Sequence, residues 1–263
     1  MKNSNLLTLL SLFFLVIVVM LFMLFGKNSS ASSDTETENS SVTQDNPLDT
    51  STTSTEESSE AGTSTTETSS DISMEDALFI GDSRTVGLME YAGIEGADYF
   101  CTVGMSVYNI HKKHVSVPNV GKVTLTELLH NKKYGKIYIM LGINEVGYKF
   151  SSTVEAYNEL ITLIKEKQSD AVIFIQANLH VTKSRSDNDK VVNNAAINGL
   201  NAEFAKLADG KSIFYMDANV LFDDETGALS SDKSEDNTHI YAKYYREWGE
   251  WIIRQTALLI GEG

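Results

Sequence analysis

The sequence is poor in cysteine and in positively charged side chains. Its 263 residues include one cysteine, Cys101, which excludes an intramolecular disulfide framework and a cysteine-based zinc site, because both need several thiols. Cys101 lies in an apolar, strand-like run, so we expect a small buried hydrophobic residue there. The chain has 36 acidic against 21 basic side chains and no basic stripe. It is therefore a poor partner for nucleic acid, whose phosphates are bound mainly by Lys and Arg.

Several metal and nucleotide motifs are also missing. The sequence has no Gly-x-Ser-x-Gly elbow, Walker loop or His-Glu-x-x-His helix. Asp187-Asn188-Asp189 matches part of a calcium loop, but Val192 stands where that loop needs glycine and Asn198 where it needs glutamate. We therefore predict neither a metal site nor a cofactor.

One long hydrophobic run lies near the N-terminus. The twenty residues from Leu6 to Phe25 carry no charge, enough for a helix to cross a hydrocarbon core of ~30 Å. The run is longer than is usual for a cleaved signal peptide, so we predict an uncleaved membrane anchor over residues 1–27 and keep a cleaved signal as the alternative. Lys2 precedes the run and acidic residues dominate after it, which favours a cytoplasmic N-terminus and an extracytoplasmic remainder.

Residues 28–73 form a low-complexity segment. They contain 25 Ser or Thr among 46 residues, ten carboxylates and no Lys or Arg. Such a segment cannot bury enough apolar surface to offset its ordering entropy, and its charges repel one another. We predict a disordered stalk that joins the anchor to the rest of the chain.

The pattern of apolar and polar residues changes at Met74, where short apolar runs begin to alternate with segments of helical period. This pattern is typical of β-α units around a parallel sheet, so we predict a three-layer α/β/α sandwich with five parallel strands over residues 74–263. The predicted strands are Ala77–Gly81, Tyr99–Val103, Ile137–Leu141, Ala171–Gln176 and Ser212–Met216.

Three helices are predicted between and after these strands. A capping box at Ser152-Thr153-Val154-Glu155 opens a helix to about Lys167. A second helix covers Val191–Leu207 and ends at Asp209-Gly210. A last helix, about Ala242–Ile260, places Trp248 and Trp251 near one face, where we expect core packing rather than ligand stacking.

Reactive side chains follow the first three predicted strands. In open parallel sheets ligands collect at the carboxyl ends of the strands, where this sequence has Ser83, Gly104 and Asn144. A serine at a strand-to-helix junction can expose both its hydroxyl and its backbone N–H. Gly104 could add a second N–H and Asn144 an amide donor, and three converging donors suit the oxyanion of acyl transfer.

A serine nucleophile needs a general base, and His239 is the best candidate. Of the five histidines only His239 has an acid at a spacing that a short turn can exploit, in Asp236-Asn237-Thr238-His239. Asp236 could then orient the imidazole toward Ser83. Glu235 is the alternative orienting acid.

Together these segments resemble the four sequence blocks of the SGNH (GDSL-like) hydrolases: Gly81-Asp82-Ser83, Gly104, Gly142-Ile143-Asn144 and Asp236-Asn237-Thr238-His239. The resemblance covers about residues 76–262. It implies a flavodoxin-like fold and metal-free serine esterase or acyl-transfer chemistry. Ser83 matches the family nucleophile, and Gly104 and Asn144 match the oxyanion residues together with the Ser83 N–H. Asp236 and His239 match the acid and base.

The sequence departs from the family pattern at two positions. Arg84 stands where a leucine commonly follows the serine, and Glu145 stands where an aspartate commonly follows the asparagine. We predict that Arg84 and Glu145 shape substrate binding. His180, Lys183 and Arg185 could also line a substrate cleft, or form an exposed loop.

The expected function is that of a membrane-tethered, extracytoplasmic serine esterase acting on O-acyl groups, most plausibly acetyl esters of cell-surface glycans. The anchor and stalk favour such a substrate because they hold the domain in a layer next to the membrane. Three alternatives stay open: a glycan O-acetyltransferase working with a multi-span membrane partner, a lipase-like esterase, and a non-catalytic glycan-binding domain.

Overall fold

The computed structural model of the protein describes residues 72–261. The predicted anchor and nearly all of the predicted stalk lie outside these residues. Within the described part, no helix combines the length and apolar character that a membrane crossing requires.

The described chain folds into alternating strands and helices. Its strands are β1 Ala77–Gly81, β2 Asp98–Cys101, β3 Val115–Val117, β4 Gly121–Val123, β5 Lys136–Met140, β6 Val172–Gln176 and β7 Ile213–Met216. Its α-helices are α1 Ser83–Tyr91, α2 Leu125–Asn131, α3 Phe150–Lys167, α4 Lys183–Asn188, α5 Asn194–Ala205, α6 Asn219–Phe222 and α7 Tyr245–Gly261. Short 3-10 turns at Ile110–Lys112, Ile143–Glu145, Ser231–Lys233 and Ala242–Tyr244 complete the order.

Five strands pair in parallel in the order β2-β1-β5-β6-β7, which confirms the predicted five-stranded parallel sheet. These strands are almost wholly buried because helices cover both faces of the sheet, as expected of parallel sheets. Residues on one face pack with α2, α3 and α5, and residues on the other pack with α1, α6 and α7. The result is three layers with a core on each side of the sheet.

A row of aromatic side chains crosses one face of the sheet. Phe79 stacks on Tyr99 and on Tyr138, with ring centroids 5.1 and 4.4 Å apart. The row continues through Phe174 to Phe214, and each neighbouring pair is in register across adjacent strands. Cross-strand aromatic pairs of this kind stabilise a sheet and fix its register.

Two helix starts differ from the prediction. Helix α3 begins at Phe150, two residues before the expected capping box. A capping box is found instead at another helix, α2, where it is formed by Thr124 and Glu127. Helix α5 begins at Asn194, because the Asn193 side chain caps it by accepting a hydrogen bond from the Ala196 N–H at 3.0 Å. The Asp189 carboxylate accepts hydrogen bonds from the N–H groups of Val191 and Val192, just before this cap.

The last helix is close to the predicted one. A 3-10 turn over Ala242–Tyr244 leads into α7. Trp248 is completely buried, and Trp251 is partly buried and packs against the same core. Cys101 is buried, as expected.

Candidate active site

The predicted site residues follow the carboxyl ends of β1, β2 and β5, which are adjacent in the sheet. Ser83 is two residues beyond β1, Gly104 three residues beyond β2, and Asn144 lies in the 3-10 turn after β5. Parallel strands bring these ends to one edge of the sheet.

Ser83 is the first residue of α1. Asp82 caps this helix, since its Oδ1 accepts a hydrogen bond from the Arg84 N–H at 2.9 Å. The Ser83 side chain is half-buried, and no acceptor among the described residues engages its backbone N–H. Gly81 must be glycine at this junction, because a Cβ there would come within 2.7 Å of the Met140 carbonyl oxygen. The junction therefore presents a hydroxyl and a free N–H together.

Ser83, His239 and Asp236 form one hydrogen-bonded chain. Ser83 Oγ lies 2.9 Å from His239 Nε2, and His239 Nδ1 lies 2.6 Å from Asp236 Oδ2. An ionised carboxylate can only accept, so Nδ1 donates and Nε2 is left to accept the Ser83 hydroxyl proton. The structure thus joins two residues that are 156 positions apart in the sequence.

Asp236 is tied to its own turn as well as to the imidazole. Its Oδ1 accepts hydrogen bonds from the backbone N–H groups of Thr238, at 2.9 Å, and His239, at 2.7 Å. Burial would raise the pKa of Asp236, but these bonds and the one from the His239 side chain outweigh it and lower the pKa to about 2. Asp236 is therefore ionised at neutral pH, and it is this acid, not Glu235, that contacts the ring.

Two arginines and a threonine hydrogen-bond the turn from Asp236 to His239, which we call the histidine loop. Arg84 Nη2 donates to the Thr238 carbonyl at 3.2 Å, and Arg185 Nη1 donates to the Thr238 hydroxyl. Thr182 binds Asn237 twice, from its N–H at 3.1 Å and from its hydroxyl at 2.8 Å. Asn237 has a positive φ of 65°, so the turn holds it in a conformation uncommon for a non-glycine residue.

Arg84 lies in the interior, with 1% of its surface exposed. Burial lowers the pKa of its guanidinium and raises the pKa of the neighbouring Asp82 carboxyl. Sequence reasoning placed Arg84 in the substrate site, whereas its contacts are with the histidine loop. No local pattern could indicate this, because Thr238 is 154 residues away in the sequence.

Gly104 and Asn144 flank the same edge of the sheet. Gly104 has φ +72°, which favours glycine, and open space lies where its side chain would be. Its N–H engages no acceptor within the described residues. Asn144 is exposed, and its Nδ2 donates to the Met105 carbonyl at 2.9 Å, which leaves its second N–H for a ligand.

Glu145 is buried and supports the Gly104 loop from the inside. Its Oε1 accepts a hydrogen bond from the Val107 N–H at 2.6 Å, and only 1% of the residue is exposed. Burial raises the pKa of Glu145 to about 7. Glu145, like Arg84, was predicted to bind substrate, and the structure gives its carboxylate a partner within the protein instead.

His180 forms a second histidine-aspartate pair, which sequence reasoning did not predict. Nδ1 lies 2.7 Å from Asp223 Oδ2, and Nε2 lies 2.7 Å from Asn198 Oδ1, so neither nitrogen is directed at Ser83. Burial would lower the pKa of His180, but the bonds with Asp223 and Asn198 outweigh it and raise the pKa. His180 is buried, so the exposed-loop interpretation is wrong for this residue.

The neighbouring Lys183 begins α4, and the incomplete calcium pattern Asp187-Asn188-Asp189 lies at the end of this helix. Lys183 is exposed and its Nζ contacts Asp187 Oδ2 at 2.7 Å, one helical turn away. Asp189 caps the backbone of Val191 and Val192. The acidic groups of this segment therefore have partners within the chain.

The arrangement can perform acyl transfer. A serine hydroxyl bound to a neutral imidazole can lose its proton as it attacks a carbonyl carbon, and an ionised aspartate stabilises the imidazolium that forms. The free N–H groups of Ser83 and Gly104 and the Asn144 amide lie at the same edge, where donors are needed for the oxyanion.

Comparison with known families agrees with this chemistry. The model of the GDSL-like Lipase/Acylhydrolase family matches residues 79–247. The chain therefore belongs to this family. Its members are serine hydrolases that cleave ester bonds, and this protein is an enzyme of that kind.

Solved structures share the fold. A GDSL-like lipase from Bacteroides thetaiotaomicron VPI-5482 has a TM-score of 0.52 and 16% identity, covering 70% of this chain and 91% of its own. A protein from Streptococcus pneumonia, provisionally described as a platelet activating factor, has a TM-score of 0.53 and 18% identity, covering 70% and 83%. At such identities the likeness concerns the fold alone. No curated protein shows significant similarity to the chain.

Proposed function

We propose that this protein is a membrane-tethered, extracytoplasmic esterase that removes O-acyl groups, chiefly O-acetyl groups, from cell-surface glycans. The observation that carries the proposal is the hydrogen-bonded chain from Ser83 through His239 to Asp236. The location is supported by the uncharged run from Leu6 to Phe25 and by the acidic Ser/Thr-rich stalk that follows it.

In the proposed reaction, Ser83 Oγ attacks the ester carbonyl carbon while His239 Nε2 takes the hydroxyl proton. The carbonyl oxygen becomes an oxyanion held by the N–H groups of Ser83 and Gly104 and by the Asn144 amide. When the tetrahedral intermediate collapses, the bond to the sugar oxygen breaks and His239 returns the proton to the leaving alcohol. Water then attacks acyl-Ser83 by the same steps and releases the carboxylic acid.

The tether supports a surface polymer as substrate. The predicted anchor over residues 1–27 and the predicted stalk over residues 28–73 would keep the catalytic domain in a layer beside the membrane and so raise its concentration near polymers of that layer. The same placement brings the domain near lipid, so acyl chain length is the property that separates a glycan deacetylase from a lipase-like enzyme.

The first experiment measures kcat/KM of the detergent-purified chain on p-nitrophenyl acetate, butyrate and octanoate. We expect the acetate ester to be preferred, and Ser83→Ala to lower turnover by on the order of 10⁴-fold or more. A preference for octanoate would overturn the proposed substrate, and unchanged turnover in Ser83→Ala would overturn the nucleophile.

The second arm of this experiment tests the location and the acceptor. Intact cells expressing the chain should release acetate from an added O-acetylated polysaccharide that is too large to enter, whereas cells expressing Ser83→Ala should not. Acetyl groups appearing on an added acceptor glycan, instead of free acetate, would favour the transferase alternative.

A further inference from the structure

Exposed aromatic side chains are concentrated beside the oxyanion residues. Eleven large hydrophobic residues are exposed among the described residues. Four of them lie close in the sequence to an oxyanion residue, two near Gly104 and two just after Asn144. These four are Val103, 70% exposed, Tyr108, 39%, Tyr148, 64%, and Phe150, 48%. Exposed apolar groups gathered in one region mark interaction sites more often than scattered ones do.

Tyr108 and Tyr148 form a single aromatic pair across two loops. Their ring centroids are 5.1 Å apart and their planes are inclined by 36°. The Tyr108 hydroxyl bonds the Thr153 hydroxyl at 2.9 Å, which fixes one ring against α3. An aromatic pair held in this way is a preformed surface, so a ligand that stacks on it loses little of its binding energy to ordering the side chains.

The pair adjoins the oxyanion residues. Asn109 Nδ2 donates to the Gly104 carbonyl at 2.9 Å, so the turn that carries Tyr108 folds back on Gly104. On the other loop, the Tyr148 N–H donates to the Glu145 carbonyl at 2.9 Å, one residue from Asn144. The two rings are therefore carried by the same two loops as Gly104 and Asn144, the residues proposed to hold the acyl oxygen.

We infer that Tyr108 and Tyr148 form a subsite that stacks a sugar ring of the glycan whose ester is cleaved at Ser83. An open pair of rings covers one face of its ligand. A pyranose ring has an apolar C–H face to set on the rings and hydroxyls that stay in water, whereas an alkyl chain gains most when it is enclosed on all sides. This inference rests on the proposed function and specifies the part of the site that recognises carbohydrate.

The test measures sugar binding separately from catalysis. In the full-length Ser83→Ala chain, calorimetric titration with hexamers of xylose, glucose and N-acetylglucosamine should show binding of at least one. Tyr148→Ala and Tyr148→Leu should weaken that binding about tenfold, and Tyr148→Phe should preserve it because the ring remains. Tyr91→Ala is the matched control, since Tyr91 is 50% exposed and also pairs with a tyrosine, Tyr245.

The outcomes separate this inference from the proposed function. Three outcomes would overturn the subsite. They are equal sugar affinities in Tyr148→Ala and Tyr91→Ala, a Tyr148→Leu variant that binds sugar as tightly as the chain that keeps Tyr148, and no binding of any hexamer. Sugar binding that depends on Tyr148, in a chain whose wild-type form does not release acetate from glycan, would support the subsite and overturn the proposed function.

Discussion

The acid that contacts His239, the proposed general base, can be assigned at the residue scale. Asp236 Oδ2 contacts His239 Nδ1 at 2.6 Å, and its second oxygen closes the turn, whereas Glu235 is exposed and has no contact with the ring. A carboxylate in this position selects the tautomer that leaves Nε2 free to accept a proton.

Asp236→Asn should lower kcat by about 10²–10⁴-fold, because an amide can present its N–H to Nδ1 and so favour the wrong tautomer. Glu235→Gln is the matched control and should leave kcat within about twofold, as expected for an exposed residue away from the ring. Steady-state kinetics on p-nitrophenyl acetate measure both. A larger loss in Glu235→Gln than in Asp236→Asn would reverse the assignment.

At the scale of elements, the N-terminus of α1 carries Ser83, the proposed nucleophile, and also supports the turn that carries His239, the proposed base. Ser83 opens the helix, and the next residue, Arg84, reaches the carbonyl of Thr238, which immediately precedes His239. A single helix start therefore determines the positions of both reacting groups.

Arg84→Leu, which restores the commoner family residue, should reduce kcat and lower the free energy of unfolding by about 2–3 kcal/mol. The Thr238 carbonyl loses a charged donor, and the buried Asp82 loses a nearby positive charge. Arg84→Lys should recover part of kcat, and Asp82→Asn combined with Arg84→Leu should recover part of the stability.

Urea unfolding and steady-state kinetics on p-nitrophenyl acetate provide the measurements. If Arg84→Leu lowered stability but left kcat unchanged, the arginine would support the fold without positioning the base. Undiminished stability and activity together would show that its contact with Thr238 is dispensable.

The strands were predictable because parallel strands covered on both faces are continuous apolar runs with clear ends. The observed bounds of the five sheet strands differ from the predicted ones by no more than two residues at either end. The β3–β4 hairpin escaped prediction because each strand is three residues long, too short for a clear apolar run, and none of the three residues of β4 is buried. The start of α5 was misplaced because the side chain that caps the helix is Asn193, which lies inside the stretch predicted as helical.

The residues of the site also divide into those that the sequence could predict and those that it could not. Ser83, His239 and Asp236 could be predicted because each lies in a local pattern next to a strand end or within a turn. The supporting contacts of Arg84, Arg185 and Glu145 could not be predicted, because each depends on a partner brought close only by the fold.

For the whole molecule, buried Glu145 makes stability depend on pH. Burial raises the pKa of Glu145 from 4.5 to about 7. A carboxyl with a higher pKa in the folded state holds its proton more tightly there, so the folded state loses stability as the pH rises from about 4.5 to about 7. The full loss corresponds to about 3 kcal/mol.

Glu145→Gln removes this titration while keeping an oxygen for the Val107 N–H. The free energy of unfolding of the variant minus that of the wild type should therefore increase by up to about 3 kcal/mol between pH 4.5 and pH 8, because only the wild type loses stability over that range. Urea unfolding at the two pH values measures the difference. A constant difference across that range would show that Glu145 does not titrate there.

The distance along the chain between nucleophile and base has a consequence for biosynthesis. Ser83 follows the first strand of the sheet in the sequence, but its proposed proton acceptor, His239, comes 156 residues later, beyond the last strand. A nascent chain that is still being synthesised thus has the serine without the imidazole. The proposed pair of Ser83 and His239 can therefore form only when the polypeptide is nearly complete.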